Sequence, residues 1–405
     1  MKFWYKFLFL PVFILAFTGC GKDDFEDEEH KGAETPYHSL DMKTNDGKVT
    51  QLLKHKIGNG VPIVIMGDGF MDKHIRDFFY SKAVDKTFEA LFSRHPLKSL
   101  KDYFDVYEVT AVSYNDFATF WSYPEYHSTF KTAFNVGVGK KNDGGDIVSS
   151  FSPGNDNKVM EYAKKAIDGK HIDNATIVVI ANDFASGGVT TYPSYSTEYR
   201  ESPTGCSIAY VSIMELPNSS TLLDSFSYAF INILLHEFGH AFAKLADEYV
   251  DTNIKDHNPE DLTWWQNTGY NRNVSLESDV TKTPWADFAA DSRYDFEKLG
   301  CYEGAYYQEK GIYRPTDNSI MNSNGTARFH CFNVASRVMI YKRCMNIAYG
   351  DSWTFNYEDF VKFDLEEAKA EHEESQKQHP LYSKSKRFNA PTVIANLKSA
   401  NNPQK

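Results

Sequence analysis

The sequence has no apolar run beyond residue 20 that is long enough to cross a bilayer, which excludes a polytopic membrane protein. It has no broad basic stripe and a formal net charge of −12, so nucleic acid is not expected as a partner. It contains neither Gly-x-Ser-x-Gly nor Cys-x-x-Cys, so neither a serine-hydrolase elbow nor a zinc ribbon is predicted. Aromatic residues, by contrast, make up 15% of the 405 residues, which is ample material for a large core.

The first 19 residues have the pattern of an export signal. Lys2 and Lys6 precede an apolar stretch over 7–17, which has the length of a signal-peptide core. Cys20 follows small residues, as in bacterial lipoproteins, so we expect a lipidated Cys20 to be the only attachment to a membrane. An ordinary cleaved signal is the alternative. The predicted location is that of an exported lipoprotein at the outer membrane, with display on the cell surface left open.

Composition divides the remaining chain into three parts. Residues 20–54 are predicted as an acidic flexible tether and residues 55–360 as one catalytic domain. Residues 361–405 are predicted as a charged helix with a solvated face, followed by a tail.

Apolar runs alternate with helical patterns, which predicts an α/β (α+β) domain with a mostly parallel twisted sheet. The predicted strands cover 61–66, 106–112 and 176–180, with helices over 72–94 and 157–167 and a possible edge strand over 207–213. Residues 115–150 and 185–205 are predicted as long loops.

The residues that carry chemistry are His236 and His240, which enclose Glu237 in an HExxH segment. This segment ends an apolar run predicted as a buried helix over about 222–246. Histidines four residues apart project from the same face of a helix and can bind one Zn²⁺ together. Glu237 is then placed to take a proton from water that the metal activates. The pattern predicts zinc as the cofactor and Glu237 as the general base of peptide hydrolysis.

A catalytic zinc ion usually has three protein ligands, so one more is needed. Asp247 is the preferred candidate, with Glu248 and Glu303 as alternatives. On a continuous helix Asp247 would lie about 10 Å beyond His240. The helix must therefore end near Lys244 if Asp247 is to reach the metal.

Several segments together resemble the IgA metalloendopeptidase (IgA peptidase) family of bacterial zinc metallopeptidases. Asn-Ser-Ile-Met-Asn at 318–322 resembles the Met-turn of metzincins, in which a methionine lies beneath the zinc-binding histidines. The other segments are 64–70, 177–183 with Gly187-Gly188, 236–249, 303–305 and 313–315, so the resemblance covers roughly residues 55–350. It implies a zincin-type, metzincin-like fold whose central HExxH helix is followed by a smaller irregular C-terminal subdomain with a Met-turn at about 319–322.

Two functions follow from these observations. The leading one is a secreted zinc endopeptidase that acts on proteins or peptides, with host glycoproteins as one candidate class and IgA itself not implied. The alternative is a lipid-anchored surface protein that binds host protein or glycan and whose metal site is not catalytic. We expect a monomer. The cysteines at 206, 301, 331 and 344 allow three disulfide pairings or remain reduced.

Overall fold

The computed structural model describes residues 38–116, 119–120, 131–141, 147–169, 171–183, 187–194, 205–213, 228–254, 257–322 and 330–377. These residues belong to one unit, Tyr37–Lys405. The predicted signal, Cys20, most of the tether and the tail beyond residue 377 lie outside the described residues.

A mixed six-stranded sheet forms the framework, with strand order β1-β3-β2-β7-β9-β8. The strands are β1 (Val49–Leu53), β2 (Val61–Asp68), β3 (Phe104–Val109), β7 (Thr176–Ala181), β8 (Gly188–Thr191) and β9 (Ser207–Ser212). The four central strands run parallel, whereas β1 and β8 pair antiparallel at the two edges. Because β2, β7 and β9 are buried along their whole length, their inner residues form continuous apolar runs, with polar residues only at strand ends. The predicted α/β class is confirmed.

The edge of this sheet differs from the prediction. Ser207–Ser212 is not an edge strand, because it lies between β7 and β8. The edge is β8, which falls inside the predicted loop over 185–205 and is only four residues long. A segment this short and wholly buried shows no alternation that would mark it as a strand.

The predicted loop over 115–150 is also partly wrong. It contributes to a separate three-stranded sheet of β4 (Thr119–Phe120), β5 (Gly137–Lys141) and β6 (Ile147–Ser152). The predicted helix over 72–94 is interrupted at Phe78, whose φ is 60° and whose side chain is 69% exposed rather than part of the core.

Helices cover both faces of the main sheet. Their bounds are Asp72–Arg76, Phe79–Leu91, Leu97–Leu100, Asp156–Ala163, Tyr228–Ala243, Pro259–Asn267, Ala286–Ala290, Val334–Tyr349 and Tyr357–Lys377. Trp264 and Trp265 lie on one of these helices, although the sequence patterns predicted irregular chain there. Within the described part of the chain, no helix combines the length and apolar character that a membrane span requires.

Tyr228–Ala243, which we call the central helix, packs against β8 and β9 on one side and against Val334–Tyr349 on another. From Phe230 onward its apolar residues are buried, except for the partly buried Ile231, which explains why its sequence is apolar nearly all round. The part of this helix predicted over 222–227 lies outside the described residues. Between the central helix and residue 322 the described chain forms short helices and one hairpin, β10 (Tyr302–Ala305) and β11 (Gln308–Arg314). All four cysteines of the described region are free thiols.

Candidate metal centre

The central helix ends one residue before Lys244, where the spacing of Asp247 requires a break. Lys244 has a φ of 57°, which a helix does not continue through. Its ammonium group is buried and donates to the carbonyl oxygens of Ala241 (2.8 Å) and Gly205 (3.2 Å) and to the Ser207 hydroxyl. These bonds fix the reversal that returns the chain toward the histidines.

The reversal brings one carboxylate against two imidazoles. Asp247 Oδ1 lies 2.9 Å from His236 Nε2 and 3.4 Å from His240 Nε2, and the two nitrogens are 3.0 Å apart. Three ligands of one tetrahedral zinc ion would lie about 3.3–3.5 Å apart, since each bond is about 2.0–2.2 Å. Among the described residues, this trio is the one group of histidine, cysteine and acidic side chains close enough to hold a metal ion.

The opposite edge of each imidazole is held by the backbone. His236 Nδ1 lies 3.0 Å from the carbonyl oxygen of Ile320, and His240 Nδ1 lies 2.6 Å from that of Leu245. A carbonyl oxygen can only accept, so each Nδ1 carries a proton, and the Nε2 of each ring is the nitrogen available to a metal ion.

The cluster therefore fits a divalent cation. With both rings neutral, the two Nε2 atoms and Asp247 Oδ1 are three acceptors, and Oδ1 is buried without a hydrogen-bond partner in the described structure. Burial favours a higher pKa for Asp247, but the neighbouring His240 and His236 outweigh it and hold that pKa well below its usual range. Burial disfavours a charged His240, but Asp247 outweighs it and raises the pKa of His240, so a proton and a metal ion compete for this cluster. An ionised, buried carboxylate beside two imidazoles suits zinc, which prefers nitrogen and oxygen ligands of this kind.

Glu237 lies on the central helix next to His236 and faces the edge strand β8. The Thr190 hydroxyl donates to Glu237 Oε2 over 2.8 Å, and a side chain at Gly188 would overlap the Glu237 side chain. Burial raises the pKa of Glu237 to about 7, although His236 and Thr190 oppose the shift. Such a carboxyl group suits proton transfer near neutral pH.

The two alternative third ligands are located elsewhere. Glu248 is buried and accepts hydrogen bonds from Asn273 (2.9 Å), Asn333 (2.9 Å) and Ser319 (2.6 Å), which ties three segments of the chain together. Glu303 lies on β10, is exposed, and accepts from the backbone of Gly311 instead. Neither is part of the trio.

A short turn, Ile320–Asn322, lies against the central helix at the level of the histidines. Its first residue accepts from His236, and the Met321 sulfur would be 3.0 Å from a Cβ at Gly239. Glycine at 239 therefore allows Met321 to approach the helix backbone between His236 and His240. The sequence had singled out Met321, and the structure brings it to the site.

Sequence reasoning missed the residues that hold Asp247. The Tyr307 hydroxyl donates to Asp247 Oδ2, and the Tyr249 ring stacks on His236 with centroids 6.2 Å apart. Tyr307 lies in the β10–β11 turn, sixty residues from its partner. Nothing in the spacing of Tyr306 and Tyr307 signals this contact, because it depends on how the hairpin docks.

Comparison with known proteins gives one family. A family model described as IgA peptidase M64 matches residues 54–295 and 289–341, which together exceed half of the chain. No curated protein matches the sequence.

Proposed function

Because the chain belongs to the IgA peptidase M64 family, and is thereby a peptidase, we propose that it is a zinc-dependent endopeptidase with its active site at the His236–His240–Asp247 cluster. One observation carries the proposal: two buried imidazole nitrogens and a buried carboxylate oxygen lie within 3.4 Å of one another, and a second carboxyl group is adjacent. Zincin-type architecture is part of this proposal, with Met321 as the apolar floor of a Met-turn.

In the proposed mechanism different residues bind the metal, transfer the proton and orient the base. His236, His240 and Asp247 hold the metal, and bound Zn²⁺ supplies Lewis acidity toward water and toward the substrate carbonyl. Glu237 takes the proton of the attacking water and passes it to the leaving amine. Thr190 orients Glu237 by its hydrogen bond, and the missing side chain at Gly188 leaves room for that carboxylate.

The alternative function, a surface protein with a non-catalytic metal site, has no support in the described residues or in the comparison. A structural site needs no buried carboxyl group with a pKa of about 7 beside its ligands. A closed structural zinc site also has four protein ligands, whereas three side chains converge in the part of the chain that the structure describes.

Glu237→Ala tests the proposal. Removal of a general base lowers turnover by about 10²–10⁴-fold, and zinc content stays equal to that of the wild type because Glu237 is not a ligand. The measurement is metal analysis together with cleavage of a broad panel of folded and unfolded proteins. Glu303→Ala, an exposed acid outside the cluster, is the matched control and keeps full activity. Undiminished cleavage by Glu237→Ala, or no cleavage by zinc-loaded wild type, would contradict the proposal.

Export and anchoring are a separate proposal, supported by the sequence of residues 1–20 alone. We propose that Cys20 carries the lipid. Metabolic labelling with a fatty acid tests this, with Cys20→Ala expected to lose the label and to leave the membrane fraction. Equal labelling of both forms would overturn it.

A further inference from the structure

A pocket with aromatic walls opens directly beside the proposed metal cluster. His240, Asp247 and Thr190 form its side toward the cluster. The other walls include Tyr192, Trp265, Tyr270, Tyr306, Tyr307 and His257, and we call this space the aromatic pocket. A group that enters it lies next to two of the three proposed ligands.

The aromatic pocket is small, with a volume of about 30 Å³. A cavity of about 10–15 Å³ holds one water molecule, and one of about 150 Å³ admits benzene. The space therefore suits a hydrogen atom, a methyl group or a hydroxymethyl group, and it excludes a leucine or phenylalanine side chain.

Its walls are packed against one another, so they cannot move apart easily. Trp265 stacks on Tyr270 with centroids 5.1 Å apart, and Tyr192 meets Tyr270 edge-on at 5.6 Å. Behind them the buried Lys244 ammonium lies 5.0 Å from the Tyr192 ring centroid. Close-packed interiors of this kind resist expansion, so the size of the cavity limits which side chains can enter it.

The remaining wall is held in a strained conformation. Tyr306 and Tyr307 form the two-residue turn between β10 and β11, with φ values of 51° and 68°. Turns of this kind favour asparagine and glycine, because a bulky side chain at positive φ is unfavourable. The Tyr306 N–H donates to the Asp247 carbonyl oxygen and the Tyr307 N–H to that of Tyr249, both over 3.0 Å. These bonds hold both rings at the site, and strain of this kind concentrates where side chains are positioned for function.

We propose that the aromatic pocket receives the substrate side chain beside the scissile peptide bond and restricts that residue to glycine, alanine or serine. The inference rests on the proposed peptidase function. The pocket borders His240 and Asp247, so the residue that occupies it flanks the bond held at the cluster. Charged side chains are excluded as well, because each is larger than the cavity.

The test is a cleavage profile on a library of peptides from a digested, unrelated proteome, with cut sites identified by mass spectrometry. For the wild type, one position next to the cut is enriched in glycine, alanine and serine and depleted in leucine and phenylalanine. Tyr306→Gly widens the pocket and relieves the positive φ. It is expected to raise kcat/KM for valine or leucine at that position, relative to alanine, by about 10-fold or more, since one methylene is worth about 10–200-fold. Tyr306→Ala is a second widening variant in case the first does not fold.

Phe78→Gly is the matched control. Phe78 also has a positive φ, of 60°, but it is 69% exposed and is not part of the pocket wall, so the cleavage profile stays unchanged. If the wild type cleaves without preference for small residues, or if both widening variants keep the wild-type profile, the pocket assignment is wrong and the peptidase proposal stands. If the zinc-loaded wild type cleaves no peptide, both proposals fall together.

Discussion

Two buried histidine–aspartate pairs in this protein have nearly the same geometry and opposite surroundings. His95 Nε2 lies 2.8 Å from Asp364 Oδ1, and His236 Nε2 lies 2.9 Å from Asp247 Oδ1. Both carboxylates are almost completely buried. The distance alone does not tell a structural pair from a functional one.

The first pair is saturated with donors from the protein. Arg337 donates to Asp364 through Nε (2.7 Å) and Nη2 (2.8 Å), and the Tyr294 hydroxyl donates at 3.1 Å. Arg337 also pairs with the buried Glu297 at 2.5 Å. The charge of Asp364 is therefore balanced inside the fold, which is the usual arrangement for a buried structural carboxylate.

The second pair lacks such donors on the side that faces the cluster. Asp247 Oδ1 has no hydrogen-bond partner in the described structure, and a third acceptor, His240 Nε2, crowds it. An unbalanced set of buried acceptors, rather than a short contact, therefore indicates a cation site.

Arg337→Met should give the largest effect, because it leaves Asp364 and Glu297 buried without their cation. We expect a loss of about 3–5 kcal/mol in the free energy of unfolding, measured by urea titration. Arg293→Met is the control: Arg293 pairs with Asp291 and Glu358 at the surface, so its loss should leave the free energy of unfolding nearly unchanged. Equal effects of the two substitutions would show that the first pair is not saturated in the way described.

Asp247→Asn should act on metal binding instead. It removes the negative charge from the cluster and replaces one carboxylate oxygen with an amide, so the variant has a poorer third ligand for zinc. Substitution of a residue that only supports a metal ligand weakens metal binding by roughly 10–100-fold. Asp247→Asn should lower zinc affinity by more than that, as measured by competition with a chelator. Unchanged zinc affinity would remove Asp247 from the ligand set.

Matched Tyr→Phe substitutions at the two histidine–aspartate pairs test whether each tyrosine supports metal binding or stability. Tyr307→Phe removes the donor to Asp247 Oδ2 and should weaken zinc binding by about 10–100-fold. Tyr294→Phe removes the donor to Asp364 and should cost about 1 kcal/mol of stability without a change in zinc affinity. If both variants lost zinc affinity, or if neither did, the distinction between the pairs would fail.

Acid titration should give the smallest effect. Burial favours a higher pKa for Asp364, but Arg337 and His95 outweigh it and lower that pKa. Since the folded pKa lies below the unfolded value of about 3.9, the stabilisation is complete above that value and is lost as the pH falls toward the folded pKa. Urea unfolding between about pH 4 and pH 2 should show this loss, and Arg337→Met should diminish it. If the free energy of unfolding fell with pH equally in the wild type and in Arg337→Met, the loss could not be assigned to the Asp364–Arg337 pair.

The sequence was most informative where chemistry requires a fixed local spacing. HExxH placed two histidines on one helix face, and the late position of Asp247 required the helix to end near Lys244, which it does. The role of Asp247 as a ligand stays a prediction. The apolar strands at 61–66 and 176–180 were equally clear, because strands buried on both faces leave a continuous signal.

The contacts that complete both regions were not predictable, because they join residues far apart in sequence. Tyr307 reaches Asp247 through a docked hairpin, and β8 is too short and too buried to show alternation. The charged C-terminal helix was predicted as a solvated face, yet Asp364 on it is fully buried. Its partner Arg337 lies on another helix, and charge patterning along one helix does not reveal such a pairing.

The central claim is that His236, His240 and Asp247 bind zinc. Anomalous diffraction at the zinc edge, from crystals of the zinc-loaded protein, tests it most directly. We predict one peak within about 2.0–2.2 Å of His236 Nε2, His240 Nε2 and Asp247 Oδ1. A peak coordinated by other side chains, or no peak at this cluster, would contradict it.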